Sequence, residues 1–134
     1  MARSLRAGEP RRRVRRRGAD FHPELETRGF GLVLRKGSSA DLDSYSAFFE
    51  NDRRTPTGLA GYLASLDVRH LYLAGLATDY CVYYSAADAL RLGLTVHVIA
   101  DACRGIDAPP GSLQERLREL RDAGVRLVTS QEVR

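Results

Sequence analysis

Tryptophan is absent from these 134 residues, methionine occurs once, and Lys36 is the only lysine among 21 basic residues. Nowhere does the chain hold the roughly 18 uninterrupted apolar residues of a membrane helix, and no charged start leads into an apolar signal core. Neither a membrane span nor an export signal is predicted, and the cytoplasm is the expected compartment. Cysteine is scarce as well. Cys81 and Cys103 are too few for a disulfide scaffold, and in a reducing compartment they read as two thiols. No GxGxxG run and no P-loop occurs, which leaves nucleotide binding of those kinds without support. The residues that remain, 43% of the chain apolar, suffice for one domain with its own core.

Charge is unevenly placed. Residues 1–17 hold eight arginines against Glu9, a local +7, so the overall +4 leaves −3 for residues 18–134. The arm has no apolar periodicity and no interleaved aromatics, and it is predicted to be disordered. It reads as a non-native leader or as an arm able to grip phosphate backbones. Nothing in the mildly acidic body supports nucleic-acid binding. Against so much arginine, the single lysine marks a place where a compact, titratable amine serves and a planar guanidinium would not.

From residue 18 onward the pattern alternates. Gly31–Arg35 is a short apolar run that predicts a buried strand, ended by Lys36-Gly37. A polar and aromatic loop, 37–54, exceeds an ordinary connection. Thr55-Pro56 resembles an N-cap followed by proline at the first helical position, opening a helix to about Leu66. Arg69–Gly75 is the second predicted strand. Thr78 or Asp79 can cap a helix from Tyr80 to about Leu92, closed by Gly93. Leu94–Ala100 is the third strand, Gly111-Ser112 opens a helix with Leu113, Leu117 and Leu120 inward, and Val125–Thr129 after Gly124 is the fourth strand. Such alternation predicts a three-layer α/β/α fold with a parallel sheet and helices on both faces.

Ligands of parallel sheets sit at the carboxyl ends of the strands, where Lys36, Ala77–Cys81 and Asp101–Arg104 fall. Cys81 lies in the first turn of a predicted helix. Backbone N–H groups and the helix dipole there favour a thiolate and can also point at a carbonyl oxygen under attack. A buried, inert cysteine is the open alternative. Cys103, between Ala102 and Arg104, reads as structural.

The run Gly75-Leu76-Ala77-Thr78-Asp79-Tyr80-Cys81-Val82, with Lys36-Gly37, Asp43–Phe49 and Gly18–Pro23, resembles the nicotinamidases and pyrazinamidases of the isochorismatase-like cysteine hydrolases. The resemblance implies a Rossmann-like sheet of six strands in the order 3-2-1-4-5-6, of which four are expected here. It implies Cys81 as nucleophile toward nicotinamide, Lys36 as its cationic partner, and the backbone amides of Ala77 and Cys81 as oxyanion donors beside a cis Leu76-Ala77 bond. Leu76, Tyr45 and Tyr80 would line the substrate pocket. The activity implied is that of pyridine nucleotide salvage, acting on a small-molecule carboxamide, and it permits a homo-oligomer. Another small amide as substrate, or a non-catalytic module using the arginine arm, are the alternatives.

The family's aspartate base in a D-x-Q-x-D-F-like motif, and the aspartate and histidines that hold a divalent metal (zinc, manganese or iron), find no counterpart in the chain. His22, His70 and His97 do not replace them. The sequence therefore reads as residues 18–134 of an incomplete domain lacking its N-terminal segment and inactive as written. In that strand order the strands before Lys36 and before Cys81 stand about three spacings, roughly 14 Å, apart.

Overall fold

The computed structural model describes residues 20–133. The arginine arm and the first residues of the Gly18–Pro23 motif lie outside them. Internal contacts divide the chain into two units, 1–33 and 34–134. In the first, two turns are closed by Leu25 N–H on the His22 carbonyl and by Phe30 N–H on the Thr27 carbonyl. Phe21 and Phe30 meet edge to face, and Arg28 pairs with Glu26.

The second unit holds three parallel strands, β1 (His70–Leu76), β2 (Thr95–Arg104) and β3 (Arg126–Val128), in the order β1-β2-β3. Gly31–Arg35 is not a strand. A run of five residues becomes a strand only when a neighbour completes its backbone hydrogen bonds, and its apolar pattern cannot supply that neighbour. Three of the four expected strands therefore form.

Burial along β1 alternates, with Leu71 and Leu73 half-buried and His70 and Tyr72 exposed. The register places Leu71 beside Val96 and Leu73 beside Val98, so one face is aliphatic. Against it pack Val82, Ala86 and Ala89, at spacings of four and three on one stripe of α2 (Tyr83–Arg91) and the turn before it. Leu120 of α3 (Ser112–Asp122) and Leu59 and Leu63 of α1 (Leu59–Ser65) join the same cluster. The described helices thus contribute to one core with the aliphatic strand residues. The other face is polar and aromatic: Tyr72 stacks on His97 at 4.5 Å, and Arg126 stands in register with His97. Burial, then the charge of Arg126, then that of His70, hold His97 below the usual histidine range. Leu120 is 2% exposed, and Leu120→Ala is expected to lower unfolding free energy by about 2–4 kcal/mol in urea titration.

Element ends differ where local signals met tertiary partners. α1 starts at Leu59 after Gly58, whose φ is 96°, and not at Thr55-Pro56. Thr55 is engaged elsewhere: its N–H and hydroxyl both donate to the Asp52 carboxylate, and Pro56 bridges to Phe49. β2 runs past Ala100 to Arg104 because a register shift after Leu73 brings Cys103 beside Gly75. α3 begins after Gly111 as expected, with the Asp107 carboxylate accepting the N–H groups of Gly111 and Leu113.

Candidate active site

β1 delivers the chain to the site. After Leu76 comes a cis peptide to Ala77, then a wide turn, Thr78–Val82, that leads into α2. The Ala77 carbonyl accepts the N–H groups of Tyr80 and Val82, each at 3.1 Å. Cys81 is half-buried in this turn. Neither Thr78 nor Asp79 caps the helix as expected. Asp79, 3% exposed, reaches across to the segment after β2 and accepts the N–H groups of Ile106 at 3.0 Å and Asp107 at 2.8 Å. Burial, the largest influence on its carboxyl, pushes upward. The donated hydrogen bonds and the charge of Arg116 outweigh it and leave Asp79 below the ordinary aspartate value.

The Lys36 Nζ lies 3.4 Å from the Cys81 Sγ and donates to the Ser44 carbonyl. This corrects the expected separation of two elements by a gap. The spacing argument placed Lys36 at the end of a sheet strand, whereas its segment lies outside the sheet, so the strand spacing does not set its distance from Cys81. Among the described residues Lys36 forms no ion pair with a carboxylate.

Tyr45 and Tyr80 are brought together, with ring centroids 5.5 Å apart and edge to face. Tyr45 also stacks on Tyr84 at 5.5 Å. The Tyr80 hydroxyl donates to the Ala108 carbonyl at 3.1 Å. Ala77 is half-buried, and Leu76 is 72% exposed at the strand end. A cavity of about 150 Å³ beside Tyr45 is lined by Glu50, Tyr84 and Asp88 among others, but by neither Cys81 nor Lys36. Cys103 is 5% exposed on β2, and burial pushes its thiol up against a weaker opposing hydrogen bond from Gly75, as suits a packing residue.

Two residues were missed by sequence reasoning. Asp79 was read as a cap and is instead a tie between two loops. Ser85 was not singled out, although its place four residues after Cys81 puts both on one helix face. Its hydroxyl donates to the Cys81 carbonyl at 2.6 Å and accepts the Ala47 N–H at 2.9 Å.

Residues 3–132 match the isochorismatase domain. The chain belongs to the isochorismatase family. A nicotinamidase of Acinetobacter baylyi is 45% identical over 115 residues, 86% of this chain and 53% of that protein. PnC1 from L. infantum, solved in complex with nicotinate, is 39% identical with a TM-score of 0.80, covering 85% of this chain and 56% of that one. A Pyrococcus horikoshii pyrazinamidase in complex with zinc is 30% identical with a TM-score of 0.71, covering 84% and 57%. The chain spans about half the length of the curated relatives it matches. It shares the α/β fold of this isochorismatase family, with a parallel sheet.

Among the described residues no three His, Cys, Asp or Glu side chains gather in a group that could hold an ion. His70 and His97 stand 6.4 Å apart between ring centroids on the open sheet face, and His22 accepts the Glu24 N–H. Among the described residues the donor set therefore does not fit a metal centre. Among the described residues no helix is long and apolar enough to cross a membrane.

Proposed function

We propose that this chain carries the thiol, the cation and the aromatic wall of a cytoplasmic amidohydrolase site for a small aromatic carboxamide, nicotinamide or pyrazinamide. The observation that carries the reading is the 3.4 Å approach of the Lys36 ammonium to the Cys81 sulfur at the carboxyl end of a parallel strand. The identity to nicotinamidases over most of this chain agrees with it. Two cysteines without a disulfide suit a reducing compartment.

In this reading the Cys81 sulfur attacks the carboxamide carbon, and the carbonyl electron pair moves onto oxygen. The N–H groups of Ala77 and Cys81 receive that charge. Collapse breaks the carbon–nitrogen bond, and nitrogen departs as ammonia with the proton given up by the thiol. Water then cleaves the thioester to the acid and regenerates the thiol. Tyr45, Tyr80 and Leu76 bound the ring of the substrate. No carboxylate base is assigned, because none pairs with Lys36 among the described residues, and no step passes through a metal.

The first step can be tested without turnover. Pyridine-3-carboxaldehyde presents the same ring with an electrophilic carbon, and the thiol adds across its C=O to give a thiohemiacetal. It is expected to protect Cys81 from iodoacetamide, read by peptide mass spectrometry, with Cys103 unaffected. Equal protection by an aliphatic aldehyde, or none by either, would remove the aromatic carboxamide as substrate.

A further inference from the structure

Ser85 is buried, at 6% exposure, one helical turn beyond Cys81. Donation from a helical serine to the carbonyl four residues back is an ordinary local bond. The bond it accepts is not local, because Ala47 lies 38 residues earlier in the chain. Ala47 belongs to the stretch that offers the Ser44 carbonyl to Lys36 and the Tyr45 ring to Tyr80. That stretch is fixed on its other side as well. The Thr57 hydroxyl donates to the Ala47 carbonyl at 2.6 Å, and Phe48 is buried in the core at 1% exposure.

These contacts close a ring. From the Cys81 carbonyl they pass through the Ser85 hydroxyl to the Ala47 N–H, along the backbone to the Ser44 carbonyl, through the Lys36 ammonium, and back to the Cys81 sulfur. The Lys36 ammonium shares its hydrogen bonds between the sulfur and the carbonyl of this loop, so the place of the loop bears on the place of the ammonium. In turn, the Ser85 hydroxyl hydrogen-bonds this loop to the turn bearing Cys81, beside the stacking of Tyr45 on Tyr84.

We propose that Ser85 is a positioning residue, whose hydroxyl fixes the 44–47 stretch against the Cys81 turn and so keeps the Lys36 ammonium at the sulfur. The proposal rests on the reading of Cys81 and Lys36 as reacting thiol and cationic partner. It adds a determinant of their geometry that touches neither substrate nor sulfur. Removing the hydroxyl also strips the half-buried Ala47 N–H of its acceptor, which frees the loop to seek another.

The test is the rate at which iodoacetamide alkylates Cys81 at neutral pH in the full chain, resolved from Cys103 by peptide mass spectrometry. Ser85→Ala is expected to slow Cys81 by about threefold to tenfold, as the loss of one hydrogen bond allows. Ser85→Thr, which keeps a hydroxyl, restores the rate. In a Lys36→Met background the Ser85→Ala effect disappears, because the ammonium it positions is gone. Cys103 reports on the fold: its labelling and the thermal midpoint stay near those of the parent chain. An unchanged Cys81 rate in Ser85→Ala overturns the proposal. So does an equal effect with and without Lys36, failure of the threonine variant to restore the rate, or faster Cys103 labelling that accounts for the change. Absence of ammonia release from nicotinamide would remove the substrate reading and leave this result standing, since alkylation needs no amide.

Discussion

Asp79→Ala is expected to destabilise the fold by about 2 kcal/mol at neutral pH, the cost of leaving two part-buried N–H groups without their buried, charged acceptor. Those donors are Ile106 and Asp107, at the point where β2 gives way to the loop before α3. Asp107 in turn accepts the N–H groups of Gly111 and Leu113, so the loss propagates to the start of α3. Asp79→Asn separates charge from shape. Its amide keeps one acceptor but turns an NH₂ donor toward a second N–H, and it is expected to recover only part of the stability. The pH dependence has a definite sign. Asp79 lies below its ordinary value in the folded chain, so its contribution is complete above the unfolded value of about 3.9 and is lost as pH falls through the folded value. Thermal midpoints of the parent and Asp79→Asn chains should therefore stand furthest apart near neutrality and converge below about pH 4. A gap that is unchanged at low pH would show that the two N–H bonds do not depend on the carboxylate charge.

What could be read from the residues divides along the range of the interactions involved. β1 and β2 were legible because Leu71 and Leu73 alternate with polar neighbours and the run around Val96–Val98 is apolar and β-branched. Both patterns follow from burial of the strand itself. Gly111 and Gly124 marked the ends of α3 because their φ angles, 91° and 100°, belong to a region most side chains avoid. Cys81 was placed at its strand-to-helix turn by the same local signals. Gly31–Arg35 has an equally good apolar pattern and makes no strand, since pairing is a property of two segments. Thr55-Pro56 and Thr78-Asp79 offered sound caps, yet Thr55 bonds Asp52 and Asp79 bonds a loop 27 and 28 residues on. Short polar side chains suit a cap and a distant backbone N–H equally well, and only the folded chain decides between them. The approach of Lys36 to Cys81 was implied by the family resemblance, while the strand-order argument set their elements about 14 Å apart; that spacing does not apply, because Gly31–Arg35 forms no strand of the sheet.

That approach carries the largest expected change in reactivity. Lys36→Met, which keeps the length of the stem and removes its charge, is expected to slow alkylation of Cys81 by about tenfold to hundredfold. An ammonium 3.4 Å from an anionic sulfur attracts it by about 1 kcal/mol in water and about 5 kcal/mol at an effective dielectric of 20, and a half-buried pair falls between those limits. The expected loss corresponds to about 1.4–2.8 kcal/mol, inside that interval. Lys36→Arg should not restore the parent rate, because a planar guanidinium cannot meet the Ser44 carbonyl and the sulfur as a compact ammonium does. Cys81→Ala removes the labelled peptide altogether and leaves Cys103, buried on β2, as slow as before. Salt supplies an independent check: the parent rate should fall as ionic strength rises, while the Lys36→Met rate should hold nearly constant, since screening acts only where a charge attracts the sulfur. If Lys36→Met alkylates as fast as the parent chain, the 3.4 Å contact has no chemical consequence, and the assignment of this turn as a reacting site fails with it.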